Sequence, residues 1–277
     1  MLLILRNLLK VWLLLGAFCG GMAGVGWLLG GFRPLSLFLF CGLLIGGAAY
    51  WYSERVVLGM VRARELPLGE APGLHSTVER LAARAAVVKP RLYLIPDGHP
   101  RALSTGRGLH SSAVVLSAGL LGLATPAELE GVLAHEIAHV RHRDTLLQTA
   151  VVVLAATLVE LSRIGGWLQR VLLSVLGPIA AAFVHLLVSP KREYSADAVA
   201  AGLCESPHGL ADALLRLEQA GGLVEFRASP ATEPLYTINP FAEEGLGALF
   251  NTHPPLEERV RRLRALDHGS DERLRAA

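Results

Sequence analysis

The chain opens with two stretches free of charged residues, 11–32 and 34–53, which are 22 and 20 residues long and separated by Arg33. About 20 apolar residues carry a helix across the hydrocarbon core of a bilayer. The pair therefore predicts a transmembrane helical hairpin over residues 1–54. Arg6 and Lys10 ahead of the first stretch would also suit a cleaved signal peptide, but no clear small-residue cleavage site follows and a second apolar stretch begins almost at once. Two later stretches predict a second hairpin over 145–190. Residues 171–190 hold no Asp, Glu, Lys or Arg, though His185 lies among them, and residues 145–159 run for 15 positions before Glu160 interrupts. Fifteen is short for a full crossing, so this pair either spans the membrane or forms buried helices covering the rest of the chain.

Between and after these stretches the periods are those of a folded domain. Leu74, Val78 and Leu81 recur at helical spacing, Arg91 to Ile95 followed by Pro96-Asp97-Gly98 reads as a strand entering a turn, and Ala113-Val114-Val115-Leu116 reads as a second strand. Ser206-Pro207 opens a helix with Leu210, Leu214 and Leu217 on one face, closed by Gly221-Gly222. Leu256, Val260 and Leu263 mark another after Pro254-Pro255. Residues 223–250 have no clean period and read as loop. The expected class is mainly α with a small β-sheet. The folded domain is expected in two parts, residues 55–144 and 191–277.

Composition agrees with a partly lipid-embedded chain, at 52% hydrophobic and 18% charged residues among 277. A net charge of +2, from 26 basic and 24 acidic residues dispersed along the sequence, leaves no electrostatic footprint for nucleic acid. With four spans, the clusters Arg6/Lys10, Arg55/Arg62/Arg64, Arg141/Arg143 and Lys191/Arg192 all fall on one side, and the positive-inside rule makes that side the cytoplasm. Cys19, Cys41 and Cys204 have no CxxC spacing, so histidine and carboxylate must hold any metal.

The chemistry concentrates at His135-Glu136-Ile137-Ala138-His139, behind the capping box Thr125-Pro126-Ala127-Glu128 that starts a helix. Residues four apart share a helix face, so the two imidazoles can converge on one Zn²⁺, one ion per chain, and Glu136 stands where a general base is needed. Glu193, in the first polar segment after the fourth apolar stretch, is the candidate third ligand. Paired with Arg192 on the surface, it would be an ordinary solvated carboxylate. Asp197, one turn on, could fix the tautomer of a ligand histidine. His142 lies two turns from His135, about 10 Å along the axis, too far to share a tetrahedral ion with it. His185 is either functional or a hydrogen-bonded core residue, and His253 is a candidate for the site rim. His75, His99, His110, His208 and His268 read as surface residues.

The order of these features, with Arg91-Leu92-Tyr93-Leu94-Ile95-Pro96, Arg192-Glu193-Tyr194-Ser195-Ala196-Asp197 and Thr252-His253-Pro254-Pro255-Leu256-Glu257-Glu258-Arg259, resembles the HtpX-type membrane zinc proteases, relatives of the CAAX prenyl protease group. The resemblance spans nearly the whole chain. It implies a zincin-like, multi-pass inner (plasma) membrane endopeptidase facing the cytoplasm, acting on unfolded or damaged membrane proteins, with Glu193 as third ligand. It also implies a strand that pairs with extended substrate, expected here at residues 113–117 around Val114 and Val115, and an approach of Arg259 to the site. Where that family commonly shows Asn-Ala-Phe-Ala-Thr-Gly, this chain has Arg101-Ala102-Leu103-Ser104-Thr105-Gly106, so no role for the Asn carries over.

Three other readings remain open on the sequence. An intramembrane protease would bury its motif in an apolar span, whereas Glu128, Glu130, Arg141, His142, Arg143 and Asp144 bracket this one. A zinc-bound membrane scaffold would not need Glu136 beside the metal. A prenylated-peptide protease would differ only in its substrates.

Overall fold

The computed structural model describes residues 2–108, 110–150, 190–206, 208–221 and 254–266. Most of the second apolar hairpin, the 223–250 segment, His185, His253 and His268 lie outside the described residues. Helices α1 (Leu2–Gly30) and α2 (Phe32–Met60) pack against each other as a hairpin turning at Gly31. Leu8–Gly30 is long and apolar enough to cross a bilayer by itself, and α2 passes the same test only as a bent pair, Phe32–Ala48 and Tyr50–Met60, at 57°. Trp12, Leu28, Phe32 and Leu44 are among the large side chains left exposed here, as lipid-facing surface would be. The helix does not stop at residue 54. It continues to Met60 and enters the domain, where Val57, Leu58 and Val61 are buried.

The sheet has the order β1-β2-β4-β3, from β1 (Arg64–Glu65), β2 (Arg91–Ile95), β3 (Ala102–Gly108) and β4 (Ser111–Ser117). It is mixed: β2 and β4 are parallel, while β1 with β2 and β3 with β4 are antiparallel. Both faces are covered. Leu92, Val114 and Leu116 face the main core, while Ile95, Leu103 and Val115 face α2. This explains why 113–116 is continuously apolar instead of alternating, since a strand buried on both faces has no polar side to show.

Helix α3 (Pro72–Arg84) brings Val78 and Leu81 into the main core, and the short α4 (Ala118–Leu123) leads to α5 (Pro126–His142). The α5 cap forms as its residues dictate: Thr125 Oγ1 accepts from the Glu128 N–H, and the Thr125 N–H donates to Glu128 Oε2 at 2.7 Å. The other oxygen of Glu128 accepts from Arg216 Nε at 2.8 Å, which locks the cap to α7 (Gly209–Gly221). Leu133 and Ile137 are fully buried, each contributing about 1.5–3 kcal/mol of hydrophobic stabilisation. Gly131 lets α5 and α7 touch, because a Cβ there would stand 2.4 Å from the Leu210 nitrogen. Arg143, at φ +56°, ends α5, and residues 144–150 are helical again. Helices α6 (Pro190–Leu203) and α8 (Leu256–Arg264) complete the described fold.

Candidate metal centre

Helix α5 is buried along most of its length, polar residues included, so each of its charged side chains must find a partner inside. His135 and His139 stack edge to face, and their Nε2 atoms converge to 3.1 Å. Helix α6 supplies Glu193, whose Oε2 lies 3.5 Å from His135 Nε2 and whose Oε1 lies 3.6 Å from His139 Nε2. Bonds of about 2.0–2.1 Å to a tetrahedral ion would set neighbouring ligand atoms about 3.3–3.4 Å apart. The two imidazole nitrogens and the Glu193 carboxylate, with one oxygen facing each nitrogen, are spaced on that scale.

The rear nitrogens are held as well. His135 Nδ1 lies 3.0 Å from Asp197 Oδ1, in a bent approach, and His139 Nδ1 lies 3.2 Å from Asp144 Oδ2. With both Nδ1 atoms turned to carboxylates, both Nε2 atoms face the shared point, where a bound metal ion would take their lone pairs. Asp197 is gripped in turn by Arg259 of α8, which donates from Nε and Nη2 at 2.8 Å each, while its Nη1 stands 3.8 Å from Glu193 Oε2. Burial would raise the Asp197 pKa, but the charge and hydrogen bonds of Arg259 outweigh it and hold the group below the usual carboxylate range. Burial would likewise depress His135, yet the Asp197 and Glu193 carboxylates prevail and lift it to about 9. At Asp144 the raising effect of burial is overcome by His139 and Arg192, so that carboxyl also stays ionised at neutral pH.

The structure thus gathers His135, Glu136, His139, Glu193, Asp197 and Arg259 in one buried cluster; Glu136 is 1% exposed and its charge acts on Arg259. Neither Glu193 nor Arg192 is a solvated surface charge, for both are buried, 3.9 Å apart. Asp144 was legible in sequence only as one more charge closing the motif helix. The signal for its role was its place five residues after His139, across a helix break.

Two expectations need correction. Val114 and Val115 lie on β4, whose two edges are already taken by β2 and β3, so that strand has no side on which to add a substrate. The edge strands among the described residues are the two-residue β1 and β3, the latter in the Arg101–Gly106 segment that departs from the family pattern. His99 is buried, not a surface residue; its backbone N–H donates to Asp97 Oδ1, and burial depresses its pKa. Among the remaining histidines, His142 is half-buried with Nδ1 3.9 Å from Asp144, and His75 Nε2 lies 2.9 Å from the Leu66 carbonyl.

Comparison with known proteins gives this geometry a lineage. Residues 69–267 match Peptidase family M48. The Protease HtpX homolog of Pelotomaculum thermopropionicum is 38% identical over 278 residues, covering 94% of this chain and 99% of its own. That of Persephonella marina is 37% identical, covering 92% and 96%, and that of Pyrococcus furiosus is 37% identical, covering 92% and 94%. The crystal structure of S. mikatae Ste24p superposes with a TM-score of 0.50 at 21% identity, over 95% of this chain but 66% of that longer protein, which is likeness of fold. The chain belongs to peptidase family M48 and is a metalloprotease of its HtpX type, with a His-His-Glu cluster suited to a metal ion and an N-terminal helix long enough to span a membrane.

Proposed function

We propose that this protein is a multi-pass, membrane-anchored zinc endopeptidase that cuts unfolded or damaged membrane proteins at the cytoplasmic face of the inner (plasma) membrane. The observation that carries this reading is the buried convergence of His135 and His139, Nε2 to Nε2 at 3.1 Å, with the two Glu193 oxygens 3.5 and 3.6 Å from them and Glu136 one residue away on the same helix. Zn²⁺ held there would polarise the scissile carbonyl and lower the pKa of a water to about 7. Glu136 takes the proton of the attacking water and delivers it to the departing amine. Asp197 and Asp144 keep both imidazoles in the ligating tautomer. Arg259 neutralises Asp197 and, through its approach to Glu193, limits the repulsion among the buried carboxylates. Substrate adds as an extended strand to the outer edge of β3, so main-chain pairing supplies affinity with little demand on sequence, as clearance of damaged proteins requires.

The test is cleavage of unfolded casein by detergent-purified protein. Wild type should cut in a chelator-sensitive way and carry one zinc per chain, and Glu136→Gln should keep the metal without cutting. Zinc-loaded wild type that cuts nothing, while unfolded clients co-purify with it, would point instead to a binding scaffold.

A further inference from the structure

Arg192, next to Glu193 in the first turn of α6, is a buried charge with its donors unmatched. It is 4% exposed, yet its Nε, Nη1 and Nη2 find no hydrogen-bond partner among the described residues. A guanidinium carries five N–H groups in a fixed fork, and burying it unmatched is costly, so the idle fork marks a place where something polar belongs. The other guanidinium of the cluster provides the contrast. Arg259 donates twice to Asp197, its Nη1 stands 3.8 Å from the Glu193 oxygen that faces His135, and Glu136 lies within reach of its charge. Arg192 mirrors it on the His139 side: Nη2 lies 3.9 Å from Glu193 Oε1, the oxygen that faces His139, and its charge is felt at Asp144 and His142. One guanidinium is committed to a carboxylate, and the other is held beside the metal ligands with nothing to donate to.

Charge decides what belongs there. Among the described residues, the cluster buries four carboxylates, Glu136, Asp144, Glu193 and Asp197, against these two guanidiniums. With both imidazoles neutral as ligands and a divalent ion bound, the formal charges cancel, so a resident anion beside Arg192 would leave an enclosed site negative. The group that fits is uncharged before reaction and negative during it. A peptide carbonyl has that property. As the oxygen of water bonds to its carbon, the π pair moves onto the carbonyl oxygen and the proton of the water passes to Glu136, so negative charge migrates from Glu136 to the new oxyanion while the total stays the same. As the C–N bond breaks, the pair returns to the carbonyl and the departing amine takes the proton from Glu136. Burial sets Arg192 no further from substrate than the base itself, because Glu136 is 1% and Glu193 3% exposed. A carbonyl that reaches them is already inside the same enclosure.

We propose that Arg192 is a further catalytic residue, donating from its guanidinium to the oxygen of the scissile carbonyl as that oxygen becomes an oxyanion. Glu136 then handles the proton and Arg192 the oxygen, while Arg259 stays bonded to Asp197. A planar fork suits an oxygen that gains lone-pair density, whereas an ammonium in its place would keep the charge and lose the fork. This inference rests on the proteolytic reading above.

The experiment uses full-length, zinc-loaded protein in detergent with an unfolded peptide substrate, comparing wild type, Arg192→Gln and Arg192→Lys. Arg192→Gln should lower kcat and kcat/KM together by about 10²–10³-fold, the loss that follows removal of one oxyanion donor, with KM little changed. Arg192→Lys keeps the charge beside Glu193, so it should retain zinc as wild type does and recover only part of kcat. A phosphinic peptide, whose tetrahedral oxygens imitate the adduct, should bind Arg192→Gln about 10²–10³-fold more weakly than wild type, while uncleaved peptide bound in a Glu136→Gln background should lose far less. In a structure of wild type with the phosphinic peptide, an Arg192 nitrogen should lie about 2.7–3.1 Å from a phosphinyl oxygen. A rise in KM alone, or weaker zinc binding with kcat per bound zinc unchanged, would overturn the role. So would a wild-type complex in which Arg192 stays apart from both phosphinyl oxygens, a result that does not depend on the variants folding. Absence of cleavage by wild type would instead remove the proteolytic reading, before any variant is compared.

Discussion

Helix α5 and strand β3 are both largely buried, yet they solve opposite problems. On α5 the side chains carry the chemistry, and the protein immobilises them from every direction: Glu128 by Thr125 and Arg216, His135 by Asp197, His139 by Asp144. On β3 the side chains are packing, with Leu103 and Ser104 buried, and the part proposed to meet substrate is the backbone. The helix is organised to hold one ion in one geometry, and in the proposed function the strand accepts many sequences. Changes to the first should act on metal and turnover, and changes to the second on substrate capture alone.

The largest separation is expected from Glu136→Gln, which should lower cleavage by about 10²–10⁴-fold with zinc content unchanged, read by peptide hydrolysis beside metal analysis. Next comes Asp144→Asn, which keeps the shape but weakens the grip on His139; zinc affinity should fall about 10–100-fold in competition with a chromophoric chelator. On the strand side, Ser104→Pro removes an N–H directed away from β4, at a buried position of an edge strand. Cleavage of an unfolded substrate should drop about two- to tenfold, the value of one hydrogen bond, with zinc affinity unmoved. A loss of metal in that variant would erase the distinction drawn here.

The smallest effect is a proton. In the metal-free protein the His135 pKa is raised to about 9, so its contribution to stability is complete below about pH 6.5 and disappears as pH rises through about 9. Zinc uptake near pH 7.5 should then expel about one proton, seen as a binding enthalpy that varies with the ionisation enthalpy of the buffer. An enthalpy independent of buffer would count against a protonated His135 in the empty cluster.

The same contrast explains what the sequence could show. The α5 motif was legible because cap, period and ligand spacing are all local: Thr125, Glu128, His135 and His139 fall within 15 consecutive residues. Helices α3, α7 and α8 announced themselves through Leu/Val spacing for the same reason. Sheet order is not local. β2 and β4 pair in parallel while β3, between them in sequence, lies outside them in space, and so the strand with Val114 and Val115, which the family resemblance implies as the substrate-pairing one, is interior to the sheet. β3 itself, Ala-Leu-Ser-Thr-Gly-Arg-Gly, offers one large apolar residue in seven, too little for a strand signal. The contact of Arg259 with Asp197, 62 positions apart, follows only from the packing of α8 on α6.

The central claim is that His135, His139 and Glu193 hold one zinc together, and the most direct measurement is X-ray absorption at the zinc edge of the purified wild type and of Glu193→Ala. The account predicts a wild-type shell of two imidazoles and carboxylate or water oxygen at about 2.0–2.1 Å, with no sulfur, and a lost or altered oxygen shell with weaker metal retention in the variant. A sulfur ligand, or a zinc shell and affinity that Glu193→Ala leaves unchanged, would contradict it.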